Sequence, residues 1–383
     1  MDSDIDYEIA RLISSQVPLP GEKNWFKMPY YEGKNQSLKE PHCFACHDDT
    51  NIAALKRCSR CEVAWYCGRQ CQKKHFRHHR VLCNQIYGGR EATELAAIPL
   101  RQFIDSGESD HVENYVGRDD GGYNGYEGFQ NWMRARSDLA SMYWDAAYES
   151  EVREVCLRAH FHCVELMKFD AAFDVTTRIR LPFILLYLNR DDEAYAFIRY
   201  WLKVEDYTDP VYDKGKSWHG RSEGGDLPIP CEPNCRFNDI FEECTKLDEL
   251  TLLAPCLMVL IIIKLRIIAT HEAVSAVLRY TFAETACKRI QQVGPVVHEM
   301  LAGGDVSIQR QQLEQLFDKM EVDHPSIIDD LLECEFISER REALDLDEDF
   351  LEQYPFPINI TLANGLRLFY RVPGAGDILR QRN

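Results

Sequence analysis

Seven cysteines and one histidine between positions 43 and 83 are the side chains of this chain best placed to do chemistry, and that chemistry is metal binding. They fall as Cys43-x2-Cys46, Cys58-x2-Cys61, Cys67-x3-Cys71 and His79-x3-Cys83. A C-x2-C turn sets two thiolates on one side of a knuckle, and two such pairs close a tetrahedron around Zn2+. Eight sulfur and nitrogen donors fill two tetrahedra and leave no coordination position for water. Such ions are structural: they hold a surface in shape. Spacing alone lets the four pairs combine in chain order or alternately. Binding and folding are one event in a segment too small for its own core, with about 10–16 kcal/mol available per site.

The residues between the donors carry a resemblance. Trp65-Tyr66-Cys67-Gly68-Arg69-Gln70-Cys71-Gln72-Lys73-Lys74-His75-Phe76, followed by His79 and Cys83, is similar to the MYND finger. The resemblance implies a cross-braced pair of sites, Cys43, Cys46, Cys67 and Cys71 holding one zinc and Cys58, Cys61, His79 and Cys83 the other. His75 and His78 are rival donors. The stretch from Gln70 to Leu82 reads as a helix on which His79 lies one turn before Cys83. His75 is two turns from Cys83, and His78 is rotated off the stripe by about 140°, so both read as surface histidines.

The resemblance also implies a function. MYND fingers take short proline-containing peptides of the Pro-x-Leu-x-Pro kind in extended form, which is strand addition with pockets for alternate side chains. Gln72 and Phe76 fall where such a peptide would be contacted. The family usually carries Trp at the position of Phe76, so the apolar wall is kept and the indole donor lost. Packing between the zinc knuckles is an equal account of Phe76. The function expected is that of a non-enzymatic adaptor for protein partners, with transcriptional regulation as one setting. The alternative is a SET-and-MYND protein lysine methyltransferase, because Cys231-Glu232-Pro233-Asn234-Cys235 is similar to part of the SET motif Asn-His-Ser-Cys-x-Pro-Asn. Pro228-Ile229-Pro230 stands where Asn-His-Ser would be, and residues 1–42 have no Gly-x-Gly turn.

Charge narrows the partners. The whole chain carries −18, which disfavours nucleic acid and anionic membranes. From Cys43 to Cys83 there are eight Lys and Arg against three Asp and Glu. Seven thiolates and two zinc ions bring that local excess down to about +2. The start Met1-Asp2-Ser3-Asp4 has no basic residue and no apolar run follows it, so disulfides of a secreted module are not expected. An intracellular protein, cytoplasmic or nuclear, is expected. Leu250 to Ile263 is the most apolar stretch. It stops at Lys264 and Arg266, short of the roughly 20 residues a bilayer needs, and reads as a buried helix with Pro255 in its first turn or at a kink.

Positioning the eight donors and whatever follows them falls to helices. The fold class expected is mainly α, a small double-zinc finger followed by a large domain of helix hairpins. Its segments are a leading stretch (1–42), the finger (43–83), a connecting helix with an acidic Gly-rich linker (84–128), and the helical domain (129–383) with a loop at 204–235. Within the domain, Leu186 to Phe197 resembles the inter-helix turn of a tetratricopeptide repeat, with Asn189 at the left-handed position that Gly usually takes. Helices are expected at Ile5–Ile13, 90–104, 236–246, 248–269, 272–302, 306–320, 326–337, 341–353 and 359–371, and no sheet. A third zinc site from His219, Cys231, Cys235 and Cys244 has irregular spacing and is not expected. Cys156, Cys163, Cys256, Cys287 and Cys334 read as core thiols.

Overall fold

A computed structural model describes residues 38–105, 127–169, 175–205, 229, 231–244, 254–284, 306–339 and 358–382. Several expectations therefore lie outside the described residues: the helices at 5–13 and 341–353, most of the linker and of the loop at 204–235, His219 and Cys287. The chain is mainly α, with a small cysteine-rich segment at its N-terminal side. It divides into two compact units, one of Met1–Gly89 with Ser141–Ala159 and one of Arg90–Ala140 with His160–Asn383.

The first unit holds a two-stranded antiparallel hairpin, β1 (Lys56–Arg57) and β2 (Trp65–Tyr66), with Lys56 opposite Tyr66 and Arg57 opposite Trp65. The sequence gives no sign of this sheet, because two-residue strands are too short to show an alternating pattern. After Cys67-Gly68 the chain enters α1 (Arg69–Asp105). Two expected helices are thus one. Gly88-Gly89 does not end it, since neither glycine takes the left-handed conformation that closes a helix.

The finger's unit also contains the corner between α2 (Glu127–Ser150) and α3 (Arg153–Phe169). Lys39 donates its amide to the Glu151 carbonyl at 2.6 Å and accepts the Arg153 amide at 3.0 Å. Glu62 meets Arg158 at 2.7 Å. Glu151 takes a left-handed φ of 56°, which turns one helix into the next.

In the second unit, α4 (Val175–Tyr187) and α5 (Asp191–Glu205) form the hairpin read as tetratricopeptide-like. Asn189 is left-handed, with φ of 56°. Arg190 N–H donates to Leu185 O at 2.9 Å and Asn189 N–H to Leu186 O at 3.1 Å, the two bonds of a Schellman cap. The acidic pair after the turn does separate work. Asp191 accepts from Arg266 at 2.6 Å, while Asp192 takes the amides of Asn234 and Arg236 at 3.1 Å each.

A four-residue α6 (Ile240–Glu243) replaces the longer helix expected at 236–246; Asp239 breaks the chain there and caps the new start by accepting from Phe241 N–H at 2.9 Å. Then comes α7 (Ala254–Glu284), one helix across the boundary expected between 269 and 272. Leu257 through Ile263 are each 0 % exposed. Around α7 pack α4, α5, α8 (Val306–Asp323) and α10 (Ile358–Tyr370); α9 (Ile327–Glu339) and α11 (Ala375–Arg382) pack on α10. By length and composition Ala254–Val277 passes as a membrane span, but 67% of its apolar window is buried inside the protein, as in a core helix.

Lys264, which follows the apolar run, is itself interior. It is 1 % exposed, and its Nζ donates to Arg236 O, Asn238 O and Gln309 Oε1 at 3.0, 2.7 and 3.0 Å. Three acceptors match the three protons of an ammonium group, which makes burial tolerable. α11 lies beyond the last expected helix; Gly374, with φ of 82°, turns the chain into it. Cys156, Cys163 and Cys334 are buried as expected, and Cys256 is half-buried.

Candidate metal centres

The eight donors assemble into two groups of four, Cys43, Cys46, Cys67 and Cys71 in one and Cys58, Cys61, His79 and Cys83 in the other. Within each, all four ligand atoms lie within 4.8 Å of one another. Alternate pairing is therefore what the fold produces, a choice that spacing left open. Among the described residues no third group forms; Cys235 donates to the Asp192 carbonyl at 3.2 Å and Cys231 is exposed.

Two knuckles of one design start the sites. His47 N–H donates to Cys43 O at 2.7 Å, and Glu62 N–H to Cys58 O at 2.9 Å. His47 and Glu62 each lie four residues after the first cysteine and are left-handed, with φ of 59° and 63°. The hairpin ties the knuckles together: Cys58 N–H donates to Ala64 O at 2.8 Å, and Phe44 N–H to Trp65 O at 2.9 Å. Helix α1 supplies the rest. Cys71 is in its first turn, and His79 and Cys83 sit one turn apart, both nearly buried at 7 % and 6 % exposure.

Tyr66 belongs to the motif that carries the family resemblance, but its partners are not readable from sequence. It is 2 % exposed, its hydroxyl meets His75 Nδ1 at 3.2 Å, and its ring meets His79 edge-on at 6.0 Å. His75 thus packs inside the finger as a prop for Tyr66, with its ring stacked at 5.9 Å on that of His79; it belongs to neither donor group. His78 is exposed and belongs to neither.

The donor sets fit zinc. Zn–S bonds of about 2.3 Å and Zn–N of about 2.0 Å place tetrahedral donors roughly 3.5–3.8 Å apart. The separations are 3.5 Å for Cys46–Cys67, 3.8 Å for Cys58–Cys83 and 3.3 Å from Cys61 Sγ to His79 Nε2. Proton affinities divide within each group. At Cys43, burial opposes ionisation, but amides of Cys67, Ala45 and Cys46 outweigh it and draw the thiol down to about 6. The Cys61 thiol and the His79 ring draw Cys58 down to about 3. Bonding to the Cys46 and Cys43 thiols pushes Cys67 up to about 12. Cys61 is also pushed up, chiefly by Cys58. Four thiol and imidazole groups this close ionise together only around a cation, and a divalent ion supplies that compensation.

The two centres differ in shielding. All four donors of the Cys58 group are buried, whereas Cys46 and Cys67 are exposed. Gln72 and Phe76, the candidate peptide contacts, lie on α1 between the donors, and both are exposed. Phe76 is 53 % exposed, so it does not fill the space between the knuckles; the half-buried Phe44 packs its ring near Trp65, at 6.2 Å, and His75, at 5.9 Å.

Residues 43–83 match the family model of the MYND finger. This segment is a MYND finger. The chain is 39% identical, over 67 residues, to the histone-lysine N-methyltransferase ASHR1 of Arabidopsis thaliana. That stretch is 18% of this chain and 13% of that relative, so the chain spans a small part of its length. No solved structure matches the chain.

Proposed function

We propose that the chain is an adaptor that recognises protein partners through its MYND finger, taking short proline-containing segments against α1 at Gln72 and Phe76. One observation carries this reading: the two closed donor sets leave no coordination position for chemistry, while the helix that supplies three of the donors presents a large aromatic side chain to solvent. An exposed aromatic on a rigid element is the usual anchor of a protein contact. The thiol-rich zinc sites also favour an intracellular setting, cytoplasmic or nuclear.

Titration calorimetry of the full chain with a Pro-x-Leu-x-Pro peptide tests it. Saturable binding is expected, with affinity reduced about tenfold in Phe76→Ala while both zinc ions are retained. Absence of binding in the zinc-loaded protein rejects the reading.

A second reading, protein lysine methylation, is favoured by the identity to a histone-lysine N-methyltransferase. Against it, the segment Cys231–Cys235 runs into a 3-10 turn clamped by Asp192, whose carboxylate takes two of its amides and the Arg236 guanidinium. S-adenosylmethionine is expected to leave the melting temperature unchanged; a clear rise moves the assignment to the methyltransferase.

A further inference from the structure

We infer that the finger's partner segment is acidic, with carboxylates at alternate positions of an extended peptide. This rests on the peptide reading above and deepens it. At 100° per residue, Arg69, Lys73, Phe76, Arg77 and Arg80 fall within about 100° of the α1 circumference, one continuous stripe with Phe76 along its edge, between Lys73 and Arg77 in height. All five are exposed. Among the described residues, none of the four cations has a carboxylate partner. Four cations with no carboxylate among the described residues, in a chain of net charge −18, mark where a counter-charge docks.

Spacing selects the form of that counter-charge. Residues four apart on a helix are separated by about 6 Å along the axis, so Arg69, Lys73 and Arg77 rise in steps of that size, followed by Arg80 after about 4.5 Å. Alternate residues of an extended peptide are about 6.7 Å apart and point to one side. Carboxylates at positions i, i+2 and i+4 therefore register with the cations of the stripe. In Pro-x-Leu-x-Pro the two variable positions have this alternation. A polyanion such as a nucleic acid shares the charge, but the field of the rest of the chain opposes it over a longer reach.

Fluorescence anisotropy on the zinc-loaded full chain decides, using labelled Glu-Pro-Glu-Leu-Glu-Pro, its Gln-Pro-Gln-Leu-Gln-Pro counterpart and a single-stranded oligonucleotide. The Glu peptide is expected to bind about tenfold tighter than the Gln peptide in 50 mM salt and within about twofold of it in 500 mM salt. The Lys73→Gln, Arg77→Gln, Arg80→Gln triple variant, checked for two bound zinc ions, is expected to bind both peptides alike. Equal binding of the two peptides by the unmutated protein overturns the inference and leaves the peptide reading standing. Binding of neither peptide overturns both. Binding of the oligonucleotide in preference to the Glu peptide reassigns the stripe to nucleic acid.

Discussion

At the scale of single residues, the finger is a set of donors whose exposure differs. Cys58, Cys61, His79 and Cys83 are all buried, so a chelator reaches their ion only after local opening; Cys46 and Cys67 are open to solvent. Release of zinc to a colorimetric chelator is expected in two phases of equal amplitude. Cys46→Ser removes the fast phase and leaves the slow one; loss of the slow phase instead would reverse the order of the sites. The left-handed residues add a second expectation. His47, at φ of 59°, has a conformation that costs a side-chain-bearing residue about 1–2 kcal/mol, and glycine loses part of that gain through its freer unfolded chain. His47→Gly should raise the stability of the zinc-loaded finger by up to about 1 kcal/mol, measured by denaturant titration of the Trp65 signal. The donor identities were legible because C-x2-C and H-x3-C spacing states its chemistry openly. Their alternate pairing was implied only by the family resemblance, because every pairing of the four has the same spacing. Tyr66 and its His75 prop were not legible, since nothing in a Tyr-Cys pair says which ring it will meet.

At the scale of elements, α7 and its neighbours set the packing of the second unit. Gly365 on α10 sits where an added Cβ would be 2.8 Å from Met258 Cγ and 3.0 Å from Phe183 Cε1. Gly365→Ala therefore forces α10, α7 and α4 apart, and the better helix propensity of alanine offsets only part of that. A net loss of about 1–2 kcal/mol is expected in thermal or chemical unfolding. Lys264 gives the unit a pH dependence. Burial brings its ammonium down from 10.5 to about 8, partly countered by Asp239 and Glu243. Between those values the unfolded chain holds the proton and the folded chain does not, so stability rises as pH goes from about 8 towards 10. The full effect is about 3 kcal/mol. Lys264→Met should abolish this rise, although it leaves carbonyls of Arg236 and Asn238 unpaired. The hairpin cap at Asn189 was legible, because few residues other than glycine tolerate that turn. The continuity of α7 across 269–272 was not legible, and neither was the burial of Lys264: a lysine after an apolar run ordinarily marks solvent, and only the three acceptors contributed by chain 28, 26 and 45 residues away reveal it as interior.

At the scale of the whole molecule, each unit has a core of its own, one organised by metal and one by α7. Calorimetry is expected to show two transitions, of which excess chelator lowers one and leaves the other in place. A single transition moved as a whole by chelator would show that the chain unfolds as one cooperative body. The mainly helical class was legible from periodicity. The inclusion of Ser141–Ala159 in the finger's unit was not, because its joints at Lys39, Glu151 and Arg153 are made by backbone groups that every residue type carries.

That inclusion has a consequence for biosynthesis. On the ribosome the last zinc donor, Cys83, emerges long before Ala159, the end of the segment that completes the same unit. At about 5–20 residues per second, the nascent finger waits several seconds for its remaining helices. During that interval the ions alone hold it, so cellular zinc supply acts on this protein while it is still being translated.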